Sequence, residues 1–242
     1  MSFNMRTLRV TEDSTQAQLF RIYPTERSRH DAENEALFTR IEAAITATND
    51  LGRLPLWEDY KKLTDYGRPI GDNPKRKMSE VRTKAEFCRF YAWLAEQIAP
   101  EAIVEFGAAF GASGMYWLAG LSQIDTGVLY SFEPNPVWHP IAQENFDRVS
   151  PKHVLANGTF EDNLDVIEHP VSISLIDAIH TRDFVMAQFD LVRRVSKSGA
   201  LVLFDDINFS DDMKRCWAEV SEAPEWRGVW QLGGRVGVIE LP

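Results

Sequence analysis

The sequence predicts an α/β domain: a doubly wound seven-stranded sheet, mostly parallel, with a C-terminal antiparallel hairpin and an N-terminal helical extension. Three observations carry this. Beyond Pro100, short strand patterns alternate with helical ones to near the end of the chain. The strands are apolar along most of their length, as parallel strands covered on both faces are. The last two strand-like runs are joined by Gly233-Gly234, a two-residue turn that favours a tight hairpin.

Taken in order, residues 1–78 form the extension and residues 79–242 the main domain. Asp31–Thr48 has Leu37, Ile41, Ala44 and Ile45 at helical spacing. A stretch rich in Pro, Gly and aromatics follows, from Leu51 to Pro74, with Trp57, Tyr60 and Tyr66, and ends in Lys75, Arg76 and Lys77. So little periodic apolar content predicts a cap on the core, not a separate domain. A second helix is expected from Ser79 to Gln97, with Phe87, Phe90, Tyr91, Leu94 and Ile98 on one face and Pro100 as its stop. Strands are expected at Ala102–Phe106, Val128–Phe132, His153–Ala156, Val171–Ile176 and Leu201–Phe204, then Gly228–Leu232 and Arg235–Leu241 in the hairpin.

Composition narrows the function. The 242 residues carry 26 Lys plus Arg against 36 Asp plus Glu, a formal charge of -10 that disfavours nucleic acid and anionic membrane as partners. No run of 18 apolar residues exists, and MSFNMRTLRV lacks the apolar core of a secretion signal. Cys88 and Cys216 have no metal-ligand spacing and are expected to be small buried hydrophobes in a reducing compartment. The expectation is a cytoplasmic enzyme, and the aromatic extension leaves a homodimer open.

The strongest local signal is Ile103-Val104-Glu105-Phe106-Gly107-Ala108-Ala109-Phe110-Gly111-Ala112-Ser113-Gly114, a strand, a loop of small residues and a helix start. Small residues let backbone approach a ligand, and helix-start N–H groups attract negative charge. A dinucleotide fingerprint needs glycine at the first, third and sixth loop positions, here Gly107, Ala109 and Ala112, so that match is poor. Glycine returns instead at Gly111. At the end of the second strand stands Glu133-Pro134-Asn135-Pro136, 22 residues beyond Gly111. A carboxylate there has two acceptor oxygens for the two hydroxyls of a ribose.

The run from Glu105 to Ser113 resembles the first motif of class I methyltransferases, a Rossmann-like family, in its catechol O-methyltransferase form. That resemblance implies S-adenosylmethionine as cofactor. The loop of Gly107, Ala108 and Gly111 would lie against its methionine part, with Ser113 near the carboxylate and Glu105 at the head of the motif. These enzymes share the Glu-x-Asn-Pro sequence, which places Glu133 and Pro134 at the ribose. The loop Ala156-Asn157-Gly158-Thr159-Phe160 would border the adenine, through Thr159 and Phe160. Met78, just before the second helix, falls where relatives cover the cofactor.

Strand four ends in Asp177-Ala178-Ile179-His180 and strand five in Asp205-Asp206. Ligands of open α/β sheets bind beyond the carboxyl ends of the strands, so these groups should face one crevice. Three converging carboxylates repel unless a cation sits among them, and oxygen ligands suit Mg²⁺. The arrangement resembles the metal-dependent catechol-type and macrocin-type O-methyltransferases. Carried over by position, Asp177, Asp205 and Asp206 hold the metal, Asp177 also borders the cofactor, and His180 is the general base. The competing readings are a plain Asp-Asp turn and a helix-capping His180. Adjacent residues of a strand point to opposite faces, so both aspartates converge only if the chain turns there. Ala178 and Arg182 depart from the family, which expects Gly and an aromatic and puts the acceptor in doubt. Trp57, Tyr60, Trp138 and Trp217 are candidate linings of its pocket, each more often simple packing.

The implied activity is methylation of a hydroxylated small molecule, a catechol-like phenol or a vicinal diol. The alternatives are a metal-independent methyltransferase acting on nitrogen, carboxylate or a lone hydroxyl, and a non-catalytic binding subunit.

Overall fold

The computed structural model describes residues 3–57 and 74–242. Tyr60 and Tyr66 lie outside them. In chain order come β1 (Met5–Val10), α1 (Ala17–Glu33), α2 (Glu35–Asn49), β2 (Leu54–Pro55), β3 (Lys75–Arg76), α3 (Met78–Val81) and α4 (Ala85–Ile98). The main alternation follows: β4 (Ala102–Phe106), α5 (Ala112–Leu121), β5 (Val128–Phe132), α6 (His139–Asp147) and β6 (His153–Ala156). It continues with β7 (Val171–Ile176), α7 (Arg182–Val195), β8 (Ser196–Phe204), α8 (Asp211–Glu222), β9 (Gly228–Leu232) and β10 (Val236–Glu240).

The main sheet runs β1-β9-β10-β8-β7-β4-β5-β6. β4 pairs in parallel with β5 and β7, and β8 and β6 extend that parallel set. β10 is antiparallel to both β8 and β9, the hairpin that Gly233-Gly234 predicts. All seven expected strands form, and β8 begins earlier than expected, at Ser196. The eighth, β1, pairs antiparallel with β9, Met5 opposite Leu232. Its alternation is weak, with Arg6, Thr7 and Arg9 among its six residues, so periodicity alone does not reveal it. The extension is therefore strand plus helices.

Alternation along the strands divides the core. Ile103 of β4 faces one apolar layer with α1, α2, α4 and α5, while Ala102, Val104 and Phe106 face the other with α7 and α8. Every residue of α5 is buried, as befits a helix covered on all sides. At Gly120 a Cβ would sit 2.2 Å from the carbonyl oxygen of Ala92, so α4 and α5 approach too closely for any side chain there. The extension is fastened to the sheet. Buried Glu240 of β10 accepts from Ser14 Oγ at 2.5 Å, Thr15 N at 2.7 Å and Thr15 Oγ1 at 2.8 Å. Phe20 stacks on Trp230 at 4.0 Å, and burying a side chain of that size contributes about 1.5–3 kcal/mol.

Two helices differ from expectation. The expected Asp31–Thr48 helix is the end of α1 plus α2, with a break at Asn34. The expected Ser79–Gln97 helix is interrupted at Arg82–Lys84, where Arg82 and Lys84 are extended. Tertiary contacts override the helical pattern there. Arg82 donates to both oxygens of Glu42 at 2.8 and 2.7 Å, and Thr83 turns inward, almost fully buried. Cys88 and Cys216 are free and buried, as expected. Among the described residues no helix is long and apolar enough to cross a membrane.

Candidate active site

A cleft of about 800 Å³ opens at the carboxyl ends of β4, β5, β7 and β8. One half is built mainly from main chain. The chain leaves β4 through Gly107, whose φ of +81° suits glycine and whose Cβ would lie 2.5 Å from the carbonyl oxygen of Asp177. Ala108 N donates to Phe132 O at 3.1 Å, and Gly111 N to Ala108 O at 2.7 Å, fixing the loop before α5 begins. Ala109 holds a φ of +48°, which costs an alanine about 1–3 kcal/mol and is held by those neighbours. Gly107, Ala108 and Ser113 line the cleft.

Glu133 lines the next wall with Pro134. Its Oε1 accepts from Asn135 N at 2.8 Å, and burial pushes its pKa up to about 7. Asn135 Nδ2 donates to Pro55 O at 2.9 Å, so the extension braces this turn. Trp138 packs on Phe110 at 4.4 Å, and both line the cleft. Thr159 and Phe160 stand on the wall too, Phe160 packed edge-on against Phe106 at 4.0 Å. Met78 lines it from α3.

Two residues of the expected cofactor set lie beneath this wall. Glu105 is fully buried, accepts from Ser131 Oγ at 2.8 Å, and is pushed by burial up to about 7. Gly111 caps α5 with its Cβ position 2.9 Å from the Phe146 ring. Both shape the loop from behind.

The other half is built from charge. Asp177 and His180 follow β7, and Asp205 and Asp206 follow β8. Asp206 has a φ of +52°, the chain turn that lets neighbouring aspartates face one place. His180 Nε2 lies 3.2 Å from Asp206 Oδ2 and 3.5 Å from Asp177 Oδ1. Burial pushes the imidazole pKa down to about 4, so it is neutral near pH 7. Burial, and then the nearby charge of Asp205, raises Asp177 well above the usual carboxylate range. Asp177, His180 and Asp206 line the cleft, with Asp205 buried behind them.

Two side chains that the sequence argument did not single out complete this half. Thr83, in the break before α4, places Oγ1 3.3 Å from Asp177 Oδ2 and 3.5 Å from Asp205 Oδ2. Arg235 donates from Nε to Asp205 Oδ1 at 2.8 Å and from Nη2 to Asp205 Oδ2 at 2.7 Å. Its signal was legible in the hairpin register: Gly237 pairs with Phe204, so Arg235 stands level with Asp206. Thr83 had none, sitting inside a helical pattern. Of the candidate aromatics, Trp57 and Trp138 line the cleft. Trp217 packs in the far core layer, under Gly237. Phe209, half exposed, lies 5.2 Å from the His180 ring.

The donor set suits a divalent cation. Asp177, His180 and Asp205 each offer one ligand atom, all within 4.8 Å of one another. Buried acids this close need a proton or a cation between them. Asp206, expected in the ligand set, turns one oxygen to His180 and the other to Arg235 Nε, 3.2 Å away.

Comparison with known proteins bears on the fold. No curated protein matches the chain. The cofactor-bound Rv0187 from MTB shares the fold at a TM-score of 0.63 and 19% identity, over 84% of this chain and 89% of that one. The O-methyltransferase from Bacillus cereus in complex with SAH gives 0.55 and 18%, over 66% and 83%. The O-methyltransferase TomG from Streptomyces achromogenes, involved in tomaymycin synthesis and in complex with SAM, gives 0.57 and 14%, over 82% and 90%. Residues 104–207, from β4 through the Asp205-Asp206 turn, match the family model of a methyltransferase domain. The chain thus shares the fold of these solved structures, and its segment 104–207 is similar to a methyltransferase domain.

Proposed function

We propose that this protein is an S-adenosylmethionine-dependent O-methyltransferase that methylates a hydroxyl of a small molecule. The observation that carries the reading is one continuous cleft, with the small-residue loop and Glu133 at one end and His180 among the aspartates at the other. Solved relatives of the same fold with SAM or SAH bound support the cofactor.

The cofactor supplies a methyl group on a sulfonium, which already contains its leaving group. Glu133 accepts hydrogen bonds from the two ribose hydroxyls, and burial strengthens them. The loop from Gly107 to Ser113 presents main chain to the methionine part, and Thr159 and Phe160 border the adenine. Asp177 and Asp205, with Asp206 beside them, would hold Mg²⁺, which would supply a Lewis acid that makes an acceptor hydroxyl more acidic. His180 would accept the hydroxyl proton at its unprotonated ring nitrogen, and Asp206 Oδ2, 3.2 Å from Nε2, orients the ring. Phe184 and Phe209 line the cleft near His180 on the acceptor side, and Trp57 lines the same cleft. The chain contributes orientation and fixed charge more than covalent chemistry.

The test is label transfer from methyl-labelled S-adenosylmethionine to a panel of catechols, vicinal diols and monohydroxylated controls, with Mg²⁺ and after thorough chelation. Transfer to a vicinal oxygen pair that stops on chelation is expected. Undiminished transfer in chelator would move the protein to the metal-independent reading.

A further inference from the structure

The reaction as proposed makes no use of Arg235, yet this side chain is tied to both Asp205 and Asp206. Its guanidinium grips both oxygens of Asp205 in the parallel two-bond geometry that fixes a carboxylate's plane as well as its position. The same Nε lies 3.2 Å from Asp206 Oδ1. The backbone around it is equally constrained. Gly233 and Gly234 both adopt positive φ, +55° and +69°, and Arg235 N donates to Leu232 O at 2.9 Å to close the turn. Arg235 O in turn accepts from Ile207 N at 3.0 Å, so the hairpin holds the Asp205-Asp206-Ile207 segment by main chain as well. Asp205 lies wholly inside, where a fixed cation acts with little screening by water.

The charge count gives this pairing a consequence. Asp177, Asp205 and Asp206 bring three carboxylates to one place, and the Arg235 guanidinium faces two of them. Arg235 offsets one and leaves two, which one divalent ion matches. We propose that Arg235 is the resident cation of this cluster: it positions Asp205 and Asp206 and, by like-charge repulsion, limits how tightly the cluster takes a divalent metal ion. The inference rests on the methyl-transfer reading, in which that ion is Mg²⁺. Arg235 is a positioning residue, since it acts through the two aspartates.

The experiment is a titration of the full chain with Mn²⁺ at fixed pH, free Mn²⁺ being followed by electron paramagnetic resonance. Wild type is compared with Arg235→Met, Arg235→Gln and Arg235→Lys. Losing the charge is expected to tighten Mn²⁺ binding at least tenfold in the Met and Gln variants, because a unit charge a few ångströms from a divalent ion costs more than that even at high effective dielectric. The Lys variant, which keeps the charge, stays near wild type. Coulomb energy scales with the ion's charge, so Tb³⁺ gains more than Mn²⁺. A merely structural arginine predicts the opposite, weaker binding in every variant. Manganese bound by the Met or Gln variant and undetected in wild type would be the expected effect in extreme form. Equal or weaker binding in both neutral variants, or no binding in any protein, overturns the inference. Calorimetry with S-adenosylmethionine on the same samples separates the two claims. If wild type binds the cofactor while the metal series fails, only Arg235's role falls; if wild type does not bind it, the functional reading falls.

Discussion

The two ends of the cleft are built in different ways. At the cofactor end, one contiguous segment, Phe106 to Ser113, makes the wall from backbone and small side chains, and Glu133 stands at the end of the next strand. At the proposed acceptor end, six charged or polar side chains come from four separate places: Thr83 before α4, Asp177 and His180 after β7, Asp205 and Asp206 after β8, and Arg235 in the hairpin. A site made of backbone tolerates change around it as long as its turns hold. A site made of opposed charges depends on every member, because removing one leaves another buried and unbalanced.

That contrast predicts separable defects. The largest is expected at the acceptor end: His180→Ala should lower kcat by about 10²–10⁴-fold, the usual worth of a positioned base, while leaving S-adenosylmethionine affinity intact. Equal losses in both quantities would show that the two ends are one unit. Next, Glu133→Ala should weaken cofactor binding by about ten- to a hundredfold, the cost of hydrogen bonds to a charged group, and leave Mn²⁺ binding unchanged. Calorimetry with each ligand checks both halves of that statement.

Gly107→Ala sharpens the comparison, because Gly107 is where the ends touch. Its added Cβ would meet the main chain of Asp177 at 2.5 Å with φ at +81°. A loss of about 1–3 kcal/mol in folding stability is expected, read as a fall in Tm, with metal and cofactor binding both weakened. The smallest effect belongs behind the loop. Burial holds the Glu105 pKa at about 7 against an ordinary 4.5, so the folded state keeps its proton longer than the unfolded chain. This group's contribution therefore falls as pH rises from 4.5 to 7. Glu105→Gln removes that slope, and urea melts should show the variant gaining on wild type across the window.

Legibility in the sequence follows the same division. The seven strands from β4 to β10 and the loop after β4 were readable because each is a local pattern: apolar runs, a Gly-Gly turn, small residues at a strand end. The aspartates and His180 were readable as residues at strand ends, and the Asp206 turn supplies the geometry that the pattern alone required. What stayed hidden depends on distant partners. β1 is a strand because β9 offers it an edge, and the break at Thr83 exists because Glu42 takes Arg82 and the cleft takes the hydroxyl. Arg235 lay in between, visible only once the hairpin register is counted back from Phe204.

The central claim is that the loop after β4 and Glu133 together hold S-adenosylmethionine, and titration calorimetry of the full chain tests it most directly. Saturable one-to-one binding of S-adenosylmethionine, with no heat from NAD⁺ at the same concentrations, is the predicted result. No heat from S-adenosylmethionine, or equal binding of NAD⁺, would contradict it.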